Sequence, residues 1–146
     1  MPALAPAPRW LWGSYLLFSD PAGRPRILLI EDDPTIAQMY RLQLELEEFA
    51  VVVAADGPTG LRAARLRPPE LILLDLRLPG MTGLEVLTEL KSEAATAATP
   101  VVVLSNYSDP SMVAQAIQLG ATDYLVKSTT TPLDLAARVR ALLSRD

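Results

Sequence analysis

The chain alternates short, continuously apolar runs with longer segments of helical periodicity, and this alternation restricts the fold more than any other feature. The apolar runs have the length and character of buried strands, and we predict strands over residues 26–31, 50–54, 71–75, 101–105 and 123–126. The periodic segments predict helices over residues 34–48, 58–66, 82–91, 110–119 and 132–144. Continuously apolar strands separated by helices are typical of a parallel sheet that is covered on both faces.

Five such units predict an α/β domain with one doubly wound, five-stranded parallel sheet, because crossovers between parallel strands are right-handed and place helices on both faces. We predict the flavodoxin-like strand order 2-1-3-4-5. In sheets of this kind, ligands bind beyond the carboxyl ends of the strands, near the point where the strand order reverses. That point lies between the first and third strands, so functional side chains are expected at these strand ends.

The domain organisation predicted from composition is an extension over residues 1–25 followed by a folded domain over residues 26–146. The extension is rich in Pro and Ala, and its apolar aromatic segment, residues 10–18, contains both tryptophans of the chain. If exposed, this segment would mark a surface for a partner or for self-association. Cover for the domain's own sheet edge, an added arm and an unused upstream start remain equally open.

The residue types that are missing exclude several kinds of chemistry. The chain has no Cys and no His, which excludes disulfides, a thiolate nucleophile, an imidazole base and the usual zinc sites. With 13 basic and 17 acidic residues it lacks the electrostatic footprint of a nucleic-acid-binding domain, so no direct nucleic-acid binding is expected. No apolar run approaches the roughly 20 residues of a membrane helix. We therefore expect no membrane association and a cytoplasmic location.

Acidic, hydroxyl and lysine side chains occupy the predicted strand ends: Glu31 and Asp32 after the first strand, Asp75 after the third, Ser105 after the fourth and Lys127 after the fifth. Carboxylates that converge at about 4 Å repel one another by several kcal/mol, even at an effective dielectric near 20. The site therefore requires a cation, and a ligand set of oxygens without His or Cys favours Mg²⁺.

Asp75 is the candidate nucleophile, because a carboxylate can attack a phosphoryl group to form an acyl phosphate. Such transfer needs mainly positioning and charge neutralisation, which Mg²⁺ and Lys127 would supply, and Ser105 could donate a hydrogen bond to a phosphoryl oxygen. Taken singly, these residues have ordinary explanations: the acidic run before Pro34 could cap a helix, and Lys127 could be a solvated lysine. Their combination at converging strand ends favours the functional interpretation.

Five stretches, residues 27–34, 54–57, 71–83, 101–105 and 120–127, resemble the receiver domain of two-component response regulators. The resemblance implies that Asp75 accepts a phosphoryl group from a histidine kinase or a phosphotransfer protein. It also implies that Asp32 ligates Mg²⁺ directly and that Glu31 acts partly through water. The backbone carbonyl of Arg77 would complete the protein's share of the Mg²⁺ ligands.

The same resemblance implies how the domain signals. Lys127 would contact the phosphate, Ser105 would be the switch hydroxyl, and Tyr124 would turn inward on activation. The face formed by the fourth helix, fifth strand and fifth helix would then bind a downstream effector protein or support self-association.

Several residues near the site depart from the family pattern. Asn106 stands where a smaller residue is usual, so we expect slower phosphotransfer and hydrolysis. Ser128 stands where a proline after a cis bond is usual; because a cis bond before Ser costs about 3 to 4 kcal/mol, we predict a trans peptide. Arg77 and Tyr107 are hypothesised to flank the path of the attacking water and to lengthen the lifetime of the acyl phosphate.

Two other functions compete with this interpretation. A phosphorylation-independent, receiver-like binding scaffold would need none of the acceptor residues that the chain carries. A phosphohydrolase of the haloacid-dehalogenase type also forms an aspartyl phosphate, but it places a second Asp two residues further on as general acid, where this chain has Arg77. We therefore predict that the chain is not an enzyme.

Overall fold

The computed structural model describes residues 23–144, so most of the predicted extension lies outside the described residues. Strands and helices alternate in this order: β1 Arg26–Ile30, α1 Pro34–Leu46, β2 Ala50–Ala54, α2 Gly57–Leu66, β3 Leu71–Asp75, α3 Gly83–Ser92, β4 Val101–Ser105, α4 Pro110–Gln118, β5 Asp123–Val126 and α5 Pro132–Leu143. A short 3₁₀ turn, Lys127–Thr129, connects β5 to α5. The predicted alternation is confirmed.

The five strands form one parallel sheet in the order β2-β1-β3-β4-β5, as predicted. The strand order reverses at β1, whose neighbours are β2 and β3. Ile30 pairs with Leu74, so the residues that follow them, Glu31 and Asp75, leave the sheet side by side. The topology alone thus brings these two carboxylates together.

Two apolar clusters enclose the sheet, one on each face. Successive residues of β3 point to opposite faces, so Ile72 and Leu74 join the cluster that includes residues of α2, α3 and α4, while Leu71 and Leu73 join the cluster with α1 and α5. All five residues of β3 are buried. Packing from both sides therefore holds Asp75, the last residue of β3, in a fixed position.

Capping residues set the start of the helices next to the sheet's carboxyl edge. The side chain of Asp33 accepts hydrogen bonds from the backbone N–H groups of Thr35 and Ile36 at the start of α1. At the other end, α1 stops two residues before the predicted boundary, because Glu48 adopts a left-handed conformation with φ of 71°. Among residues 23–144, no helix is long and apolar enough to cross a membrane.

Candidate functional site

Three carboxylates gather at the carboxyl edge of the sheet. Glu31, Asp32 and Asp75 each offer a carboxylate oxygen, and these three atoms lie within 4.8 Å of one another. Glu31 and Asp75 are buried, with 2% and 5% of their surface exposed, whereas Asp32 is exposed. The site thus combines two desolvated carboxylates with one that faces the solvent.

Lys127 brings the only lysine ammonium that contacts these carboxylates among the described residues. Its Nζ lies 2.6 Å from Oε1 of Glu31 and 3.1 Å from Oδ2 of Asp75. The lysine side chain is only 8% exposed, so both contacts are shielded from water. Lys127 begins the 3₁₀ turn after β5, which directs a residue from the far edge of the sheet back toward β1 and β3.

The pKa values show that one ammonium does not balance this cluster. Burial raises the pKa of the Glu31 carboxyl to about 7, its hydrogen bond with Asp75 raises it further, and the hydrogen bond from Lys127 opposes both. Burial lowers the pKa of Lys127, but the hydrogen bond to Glu31 and the charge of Asp75 outweigh burial and raise it overall. A compact set of oxygen donors with unbalanced negative charge fits Mg²⁺, which binds one or two carboxylates.

Comparison with known proteins identifies the family. The family model for the response regulator receiver domain matches residues 27–140. The chain belongs to this family. The DNA-binding response regulator MtrA of Mycolicibacterium smegmatis is 41% identical over 123 residues, which are 84% of this chain and 52% of MtrA. The chain thus spans about half the length of the curated relatives it matches.

Solved receiver domains have the same fold. A putative response regulator from Chloroflexus aurantiacus superposes with a TM-score of 0.78 and 30% identity, covering 84% of this chain and 99% of that one. The chemotaxis protein CheY4 of Vibrio cholerae gives a TM-score of 0.77 and 27% identity, covering 82% and 98% of the two chains. The fold predicted from the sequence is therefore that of an established receiver domain.

The backbone of this receiver domain orients both buried carboxylates. The N–H of Asp33 donates to Oε2 of Glu31 at 3.2 Å, and the N–H of Arg77 donates to Oδ1 of Asp75 at 3.1 Å. The backbone of Arg77 thus lies beside Asp75, while the role of its carbonyl as a metal ligand stays a prediction. The Lys127–Ser128 peptide is trans, as predicted.

The two predicted switch residues both contact the loop between β4 and α4. Ser105 ends β4, is 1% exposed, and its Oγ accepts a hydrogen bond from the N–H of Tyr107 at 3.1 Å. The hydroxyl of Tyr124 donates to the carbonyl oxygen of Tyr107 at 2.8 Å. Ser105 and Tyr124 are therefore linked through the backbone of one loop residue.

Two features near Asp75 were not predicted from the sequence. The guanidinium of Arg77 lies over the ring of Tyr107, 5.0 Å from its centroid, and both residues line an open cavity of about 320 Å³ together with Leu76, Leu78, Thr82 and Met112. The sequence placed Arg77 and Tyr107 near the site separately, but no sequence signal indicated that they stack.

Gly83 is the second unpredicted feature. Its N–H donates to the carbonyl oxygen of Leu76 at 2.9 Å. A Cβ at this position would collide with the backbone of Asp75 and would lie 2.5 Å from the Cα of Leu76. The first residue of α3 must therefore be small so that the helix can pack directly against the end of β3.

Proposed function

We propose that this receiver domain accepts a phosphoryl group on Asp75 from a histidine kinase or a phosphotransfer protein. The observation that carries the proposal is the contact of Lys127 with both Glu31 and Asp75 inside a three-carboxylate cluster. A buried lysine with such partners is arranged to neutralise charge at one point, and phosphoryl transfer to a carboxylate needs charge neutralisation and positioning.

The transfer itself involves one bond formed and one bond broken. A carboxylate oxygen of Asp75 attacks phosphorus as the P–N bond of a phosphohistidine breaks, and the imidazole leaves with the electron pair. The N–H of Arg77 holds one oxygen of Asp75, and Lys127 lies beside the other. Mg²⁺, when bound, supplies positive charge to the phosphoryl oxygens, and Glu31, Asp32 and Asp75 would hold it with the Arg77 carbonyl.

The proposed response travels through the β4–α4 loop. Ser105 would leave the N–H of Tyr107 to donate its hydroxyl to a phosphoryl oxygen, which would release the loop that also accepts the Tyr124 hydroxyl. The surface of α4, β5 and α5 would change as a result and bind a downstream effector protein or a second copy.

The proposed partners and location follow from this role. A histidine kinase or phosphotransfer protein as donor places the reaction in the cytoplasm. MtrA is described as DNA-binding, but the net charge of −4 supports partner binding rather than direct nucleic-acid contact for this chain. The guanidinium of Arg77, which cannot serve as a general acid, supports a stoichiometric acceptor rather than a phosphohydrolase.

A phosphorylation assay tests the proposal. The full chain is incubated with Mg²⁺ and acetyl phosphate or beryllofluoride, and intact mass is measured for wild type, Asp75→Asn and Asp33→Asn. We expect one phosphoryl adduct on wild type and on Asp33→Asn, whose side chain only caps α1. Asp75→Asn should give none. An adduct that persists in Asp75→Asn, or no adduct on any of the three proteins, would favour the binding scaffold.

A further inference from the structure

Helix α1 has an apolar stripe on the side that faces away from the sheet. Met39, Leu42 and Leu46 are 43%, 51% and 76% exposed. Their spacing of three and four residues places them in one line along the helix. Tyr40 and Leu44, which face the sheet, are almost completely buried. The helix is therefore apolar on two opposite sides.

A surface helix with a single apolar face needs no partner beyond its own core. The second stripe of α1 has the three–four spacing that helices use to pack against another apolar segment. Beside it, Arg41 and Glu45 form an ion pair with Nε and Oε1 2.7 Å apart, which gives the stripe a polar border. A contiguous apolar surface with a polar rim is typical of a docking surface.

The stripe ends next to the point where the amino-terminal residues join the domain. Leu46 is the last residue of α1, and only residues 47–49 separate it from β2. The N–H of Ala50 donates to the carbonyl oxygen of Pro25 at 2.9 Å, so the start of β1 and the end of α1 lie at the same edge of the sheet. Residues that precede Gly23 are therefore tethered near Leu46.

The apolar segment of residues 10–18 has the right composition and length for this stripe. Its sequence, Trp-Leu-Trp-Gly-Ser-Tyr-Leu-Leu-Phe, contains no charge. The four residues between Phe18 and Gly23 span at most about 14 Å when extended, and the stripe from Met39 to Leu46 is about 10 Å long. We propose that residues 10–18 pack on Met39, Leu42 and Leu46 of the same chain.

The tether favours the chain's own segment over a second copy. A short flexible linker gives a local concentration on the order of millimolar, which exceeds the concentration of free copies in a dilute solution. Packing within one chain would also shield both the tryptophans and the stripe. The proposal is independent of phosphoryl transfer, because it uses no residue of the acceptor site.

Tryptophan fluorescence tests this packing in the full chain, since Trp10 and Trp12 are its only tryptophans. We expect wild type to show emission at shorter wavelength and weaker acrylamide quenching than the chain unfolded in urea. Leu42→Glu combined with Leu46→Glu should shift emission to longer wavelength and raise quenching to the unfolded value. Leu66→Glu is the matched control, because Leu66 is 62% exposed at the end of α2, on the other face of the sheet, and should leave both readouts unchanged.

Disulfide formation gives a second readout, because the chain has no native cysteine. Trp12→Cys with Leu46→Cys should form an intrachain disulfide in dilute solution, whereas Trp12→Cys with Leu66→Cys should not. Fluorescence that is unchanged in the stripe variant would overturn the proposal. A protected emission that appears only at concentrations where sedimentation detects dimers would also overturn it, in favour of a second copy on the stripe.

Discussion

At the scale of single residues, Glu31 is the carboxyl whose ionisation the fold opposes. Its pKa is raised from the ordinary 4.5 to about 7, first by burial and then by the hydrogen bond with Asp75. The folded metal-free protein therefore keeps this proton in a pH range where the unfolded chain has already released it. Because the folded state binds more protons there, stability is predicted to fall as pH rises from about 4.5 to about 7.

Urea unfolding in the presence of a chelator, repeated across this pH range, measures the effect. Glu31→Gln keeps a neutral side chain that can hydrogen-bond, so the fall in the free energy of unfolding should become shallower. Glu48→Gln, at an exposed position, serves as the matched control and should follow wild type. Equal pH slopes in wild type and Glu31→Gln would show that Glu31 does not hold its proton in the folded state.

Arg77 and Tyr107 lead to a second prediction at this scale, which rests on the proposed acceptor role of Asp75. Their stack borders the cavity beside Asp75, so removing either side chain should open the path of the attacking water and shorten the acyl-phosphate lifetime. A cation–π contact at an exposed site contributes about 0.5 to 1 kcal/mol. If that stabilisation is lost only on opening, dephosphorylation should accelerate roughly two- to five-fold.

A double-mutant cycle separates the stack from the individual side chains. Dephosphorylation rates are measured for Arg77→Ala, Tyr107→Ala and the double variant, and the two effects should be less than additive because each variant already removes the stack. Tyr107→Phe keeps the ring and should retain the wild-type rate. Unchanged rates in both alanine variants would refute shielding by this pair.

At the scale of elements, the junction of β3 and α3 determines the position of Asp75. Gly83→Ala would force a Cβ against the backbone of Asp75, and overpacking of this kind costs about 1 to 3 kcal/mol. We predict lower stability in denaturant and a slower rate of phosphoryl acceptance. Gly80→Ala is the comparison: Gly80 has φ of 74° but open space around it, so stability should fall without loss of the rate. Equal rates in the two variants would show that Asp75 does not depend on the junction.

The elements themselves were largely predictable because their signals are local. Strands β2 to β5 have the predicted bounds, since each is a buried apolar run with polar or turn-forming neighbours. The end of α1 was not predictable: Glu48 adopts the left-handed conformation that usually requires Gly, and no sequence signal marks it. The acidic run before α1 divides between two roles, because Asp33 caps the helix while Glu31 faces Asp75.

At the scale of the whole molecule, the topology explains which parts of the site the sequence revealed. Once the strand order is known, residues at the ends of β1, β3 and β4 must be neighbours. The contact of Lys127 with Glu31 joins residues 96 positions apart and depends on the 3₁₀ turn, which has no clear sequence signal. The stack of Arg77 on Tyr107 likewise depends on side-chain conformations in two loops.

Because the cluster connects β1, β3 and the turn after β5, cation binding should stabilise the entire domain. A ligand that binds only the folded state at 100 times its Kd contributes about 2.7 kcal/mol. For a chain of this size, that corresponds to a rise in Tm of roughly 5 to 10 °C. We expect Mg²⁺ to raise the Tm of wild type and of Asp33→Asn by such an amount in thermal unfolding. Asp32→Asn changes an exposed carboxylate of the cluster, so it should keep the metal-free Tm but lose the shift. An undiminished shift in Asp32→Asn would place the cation elsewhere.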